Sequence, residues 1–136
     1  MDINVEAVAA RAHELHEAGY NCAQAVACAV APELGVDSDQ LFRALEGFGL
    51  GMGDMSQTCG AVSGAVALVG LVNSSGEDNP KSKGATYKVS REVSQRFAAK
   101  NGTTICRELK GIDTGTVVRS CPGCIDDAVR IVLDLI

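Results

Sequence analysis

The sequence predicts an all-α fold, a single compact bundle of about five to six helices with no significant sheet, and three observations carry that prediction. Apolar residues recur at three- and four-residue spacing through most of the chain. Capping residues stand where these stretches begin, and Gly or Pro where they end. Strand patterns are nearly absent: Thr116-Val117-Val118 is a weak candidate, too short to build a sheet. With 136 residues, 46% of them apolar, the chain reads as one domain over residues 1–136, able to bury a core without covalent staples.

Val5, Val8, Ala12 and Leu15 mark the first helix, stopped at Gly19. Asn21 caps a second, from Cys22 to about Ala31, where Pro32 disturbs it. Ser38 caps a short third through Leu41, Phe42 and Leu45, ending at Gly47. A loop with Gly47, Gly49, Gly51 and Gly53 follows. Thr58 caps a fourth helix from Cys59 to about Val72, apolar nearly all round and therefore central. Its Gly60 and Gly64, one turn apart, admit another backbone closely. Asn79 and Pro80 open a fifth helix, with Ala85, Val89, Val93 and Phe97 as its apolar stripe and Asn101-Gly102 as its end. A short helix lies around Ile105 to Leu109, and the last runs from Pro122 to the end. Leu133, Leu135 and Ile136 are apolar on more than one face there, which suggests a homodimer.

A net charge of −5 argues against nucleic acid, whose phosphates call for basic patches. The first residues lack the basic and apolar regions of a signal peptide, and the longest apolar stretch, Gly60 to Val72, falls short of the ~20 residues of a spanning helix. A soluble, cytoplasmic protein without membrane contact is the expectation. In that compartment thiols stay reduced, so six cysteines point to metal binding or redox chemistry rather than to a disulfide framework.

Cys22, Cys59, Cys106 and Cys121 each fall at a helix start, with Cys121 in the cap position. A helix start offers unpaired N–H groups and partial positive charge, which stabilise a thiolate and offset the negative charge of a thiolate-ligated cluster. The bland alternative makes each cysteine a small buried hydrophobe, and that is the reading of Cys28, which lies among Val26, Ala27, Ala29 and Val30. Cys124 completes a C-x-x-C with Cys121 and is a substitute ligand, a resolving thiol able to pair with Cys121, or a buried side chain. A thioredoxin fold is excluded because the motif lacks its strand and βαβ frame. Successive separations of 37, 47 and 15 positions fit neither a zinc ribbon nor a compact ferredoxin. A cluster held between bundle helices is compatible with them.

Other candidates are weaker. The glycine loop follows a helix rather than a strand, so it is no nucleotide fingerprint; it lets the backbone pass close to the Cys59 site. Met52 and Met55 are assigned to the core, and His13 and His16 to a solvated helix face. Asp54, Glu108, Asp126 and Asp127 are candidate proton carriers that nothing in the sequence separates from surface acids.

Gly19-Tyr20-Asn21-Cys22-Ala23-Gln24-Ala25-Val26, then Gly51-Met52-Gly53 ahead of Thr58-Cys59-Gly60-Ala61-Val62-Ser63-Gly64, then Cys106, then Cys121-Pro122, resemble the redox-active C_GCAxxG_C_C family from about Ala18 onward. The resemblance implies an α-helical redox protein whose four cysteines are Cys22, Cys59, Cys106 and Cys121, with Cys28 and Cys124 as extras. It extends to the iron–sulfur domain of split-Soret cytochromes, although no C-x-x-C-H is present for haem. The leading expectation is an iron–sulfur cluster on those four cysteines, serving electron transfer or redox sensing with a redox partner protein. Such a chain is a redox-active protein rather than an enzyme with its own substrate. A metal-free thiol–disulfide oxidoreductase and a structural metal-binding or interaction domain are the alternatives.

Overall fold

Helix α1 (Val5–Glu17) begins where the Asn4 side chain accepts a hydrogen bond from the Ala7 N–H, 3.1 Å away. The structure, a computed structural model, describes residues 2–136. Helix α2 (Cys22–Leu34) opens with a reciprocal capping box between Asn21 and Gln24. Ala23 to Ala31 are all buried, so α2 shares the centre of the bundle. Pro32 does not stop it: the ring sits in the last turn, and Gly35, left-handed at φ 66°, closes the helix beyond it.

Helix α3 (Ser38–Leu45) is capped by Asp37, not by Ser38 as expected, because the Asp37 carboxylate reaches the Asp39 N–H at 3.0 Å. It runs on through a 3-10 turn, Glu46–Phe48. The glycine-rich segment then coils through left-handed backbone at Leu50, Gly51, Met52, Gly53 and Met55. Helix α4 (Gly60–Asn73) has Cys59 in its cap position. Thr58, read as the cap, instead pairs its extended backbone with Ile105 in an isolated antiparallel bridge. Helix α5 (Lys83–Asn101) starts later than Asn79-Pro80 suggests, because Asn79 is drawn into a turn by its N–H to the Gly76 carbonyl. Helices α6 (Cys106–Lys110) and α7 (Cys121–Leu135) complete the fold. Ser120 caps α7, its hydroxyl accepting from the Gly123 N–H at 3.1 Å, so Cys121 is the first helical residue rather than the cap.

No strand is present among the described residues, and Thr116-Val117-Val118 lies in a loop. Helices α2 and α4 form the central pair, with α1, α5 and α7 packed around them and α3 against α2. At their crossing a Cβ on Gly64 would lie 2.5 Å from the Ala23 carbonyl oxygen, and one on Gly60 3.2 Å from the Ala23 nitrogen. Leu133, Leu135 and Ile136 are half-buried against this chain's own core. Among the described residues no helix is long and apolar enough to cross a membrane.

The crossing generates a test. Gly64→Ala forces a methyl against backbone and should cost ~1–3 kcal/mol by overpacking. Gly70→Ala, on the same helix with nothing within 4 Å, should leave stability unchanged or raise it by up to ~1 kcal/mol. Urea midpoints measured in parallel check the ranking.

Candidate thiol site

Five thiols, those of Cys22, Cys59, Cys106, Cys121 and Cys124, line one cavity of about 210 Å³ together with His16, Asn21, Leu50, Lys110 and Arg119. Each arrives by a different local device. Cys22 is the first residue of α2, behind a cap that is itself tied down: Asn21 donates to the Glu46 carbonyl at 2.9 Å and Gln24 to the Phe42 carbonyl at 3.0 Å. Cys59 and Cys106 flank the Thr58–Ile105 bridge. The Cys59 N–H donates to the Thr104 carbonyl at 2.7 Å and the Cys106 N–H to the Gln57 carbonyl at 2.9 Å. The glycine loop closes on the Cys106 side, where a Cβ on Gly51 would lie 2.6 Å from the Cys106 Cβ. Cys121 and Cys124 come from the first turn of α7. Cys28 stays apart, its thiol directed at the Ser38 carbonyl 3.6 Å away.

Within the cavity the thiols meet in pairs across helices. Cys22 lies beside Cys121 and Cys124 beside Cys59, and the Cys124 thiol also faces the Arg119 carbonyl, 3.9 Å away. Cys121 is the stronger acid. The Cys22 hydrogen bond and the Lys110 ammonium, 3.1 Å from its sulfur, outweigh burial and bring its pKa down to about 5. Cys59 comes down to about 7, through the Cys124 hydrogen bond and the backbone N–H groups that open α4. Their contacts with these thiolates, and burial, push Cys22 and Cys124 up. Burial first, then the neighbouring thiols, raises Cys106.

Four side chains have roles that differ from the sequence reading. His16 lines the cavity, whereas His13 lies 3.5 Å from Asp126. Met52 is exposed and Met55 half-buried, so neither fills the core. Asp127 is no surface acid: its side chain is 0% exposed and takes two hydrogen bonds of 3.0 Å from Arg119, with Lys100 and Asn101 also donating. Burial raises its pKa, but these donors outweigh burial and hold it below the ordinary carboxylate range. Asp126 pairs with Arg130, while Asp54 and Glu108 bond locally to Ser56 and Thr103.

Among the described residues no group of three or more His, Cys, Asp and Glu side chains could hold a metal ion. The thiols stand instead around a space several times the ~30 Å³ share of one water. The family model described as "Putative redox-active protein (C_GCAxxG_C_C)" matches residues 20–135. The chain belongs to this family. No curated protein and no solved structure matches it. In this C_GCAxxG_C_C protein the matched span holds all six cysteines.

In the reduced, metal-free protein, Cys121 should be alkylated by iodoacetamide at a nearly constant rate from pH 8 to ~6, the rate falling as pH drops through about 5. Removing the cation in Lys110→Met should move that fall to higher pH, since the ammonium favours the thiolate. Mass-spectrometric mapping of brief labelling reads both.

Asp127→Asn leaves Arg119 and Lys100 without their anion and should cost ~3–5 kcal/mol at pH 7. The Asp127 pKa is lowered on folding, so its contribution is present above ~3.9 and lost as pH falls further. Denaturation curves of the two proteins should therefore converge below ~pH 4.

Proposed function

We propose that this protein carries an iron–sulfur cluster on Cys22, Cys59, Cys106 and Cys121 and works in electron transfer or redox sensing. The observation that carries the reading is the gathering of thiols from four helix starts around one partly enclosed cavity. The family's redox-active character supports it. A cluster bound there supplies one-electron chemistry. The chain supplies the rest. Helix starts direct N–H groups and partial positive charge at the sulfurs, Lys110 adds a full positive charge, and Leu50 and Leu109 make part of the wall apolar. Cys124, beside Cys59, is a secondary thiol and the substitute if one of the four is lost. A redox partner protein exchanges the electron, and the cytoplasm is the compartment we assign, since the reading needs reduced thiols.

A second reading is favoured by the contacts Cys22–Cys121 and Cys59–Cys124: without metal, the same residues make two dithiols suited to thiol–disulfide exchange.

Anaerobic purification with iron, zinc and acid-labile sulfide analysis separates the readings. A coloured protein with iron and sulfide in equal amounts is expected. Cys59→Ser and Cys106→Ser should lose both, whereas Cys28→Ser should retain them. A colourless, metal-free protein that cycles between dithiol and disulfide would establish the second reading, and zinc without sulfide would make the site structural.

A further inference from the structure

Lys110 stands out among the cavity's charged groups. Its ammonium lies 3.1 Å from the Cys121 sulfur. Among the described residues it makes no ion pair with a carboxylate, whereas Arg119, the other guanidinium or ammonium lining the cavity, is occupied by Asp127. The backbone that carries it is held in place. Lys110 ends a five-residue helix, and the carbonyl of the preceding Leu109 accepts the N–H groups of Val118 and Arg119 at 2.9 and 3.2 Å. Gly111, left-handed at φ 67°, has the Thr116 carbonyl packed where a side chain would start. The loop thus folds back onto the end of α6, where Lys110 stands.

A half-buried cation without a counter-ion is costly unless negative charge faces it. Here the facing groups are sulfurs. Thiolate ligation makes a cluster site net negative, and reduction adds one more electron to it. A fixed positive charge favours the more negative state, by a Coulombic effect strengthened in the partly enclosed cavity.

We propose that Lys110 is the charge-compensating residue of the site, a positioning residue whose ammonium on Cys121 raises the reduction potential of the group the thiols hold. The proposal rests on the cluster reading above and assigns a residue outside the cysteine set. Lys110 neither ligates nor transfers a proton in this account; it acts through its charge.

The test compares the wild type, Lys110→Met and Lys110→Arg, purified anaerobically. Iron and sulfide are counted first, and the potential is then read by a mediated dithionite titration at one fixed pH. Lys110→Met should keep its cluster and show a reduction equilibrium at least tenfold less favourable, a shift of ~59 mV to more negative potential for one electron. Lys110→Arg should lie within threefold of the wild type. A loaded Lys110→Met at the wild-type potential overturns the role of Lys110 and leaves the cluster reading standing. A wild type without iron and sulfide overturns both. If Lys110→Met binds no cluster, Lys110→Gln replaces it as the neutral variant. Loss from both neutral variants with retention in Lys110→Arg supports the charge, and loss from all three makes the residue structural and overturns the proposal.

Discussion

At Gly64 the backbone of one central helix lies against the backbone of Ala23 on the other, with no space between them for a methyl group. This contact lies next to the starts of both helices. Cys22 precedes Ala23, Cys59 precedes Gly60, and a Cβ on Gly60 would already lie 3.4 Å from the Cys22 Cβ. Two thiols far apart in sequence are thereby brought to one place by the closeness of two backbones. The other three follow from that arrangement. The Thr58–Ile105 bridge draws Cys106 to the start of α4, and α7 packs on both α2 and α4 with its first turn at the same end. Small residues along α2 and α4 are what make the geometry available, since larger ones would hold the axes apart.

The electrostatics follow from the same convergence. Helix starts bring N–H groups with unmet hydrogen-bonding capacity, and thiolates are suitable acceptors for them. Positive charge is distributed with some economy around the cavity. Lys110 addresses Cys121 directly. Arg119 lines the same cavity but is drawn to the buried Asp127, which also binds Lys100 and Asn101 at the end of α5. Gly123 leaves space for that guanidinium: a Cβ there would lie 2.6 Å from Arg119 Nε. The acid therefore couples the end of α5 to the start of α7.

Much of this was legible in the residues themselves. Periodicity marked the helices, Asn21 marked the start of α2, and the one-turn spacing of Gly60 and Gly64 marked a close crossing. What remained hidden depends on tertiary contacts. Asp127 is one of two adjacent acids, and nothing local says that it is the one buried beneath Arg119 and Lys100. His16 and His13 share a helix, yet only His16 lines the cavity. Thr58 has the chemistry of a cap, but its backbone is claimed by Ile105. Pro80 favours a helix start in isolation, and the preceding turn at Gly76–Asn79 delays it. The left-handed residues Leu50, Met52 and Met55 carry no sequence signature, because side chains rarely adopt that conformation without outside support. That support comes from hydrogen bonds such as Met55 N–H to the Leu50 carbonyl and Arg107 N–H to the Met55 carbonyl, which join the loop to α6.

The thiol-lined cavity is, we propose, the seat of an iron–sulfur cluster. A crystal structure of the anaerobically prepared protein, with anomalous diffraction measured on both sides of the iron absorption edge, tests it most directly. The account predicts iron peaks inside the cavity, bounded by the sulfurs of Cys22, Cys59, Cys106 and Cys121, with Cys28 remote from them. An empty cavity with Cys22 bonded to Cys121 and Cys59 to Cys124, or iron held anywhere else in the molecule, would contradict it.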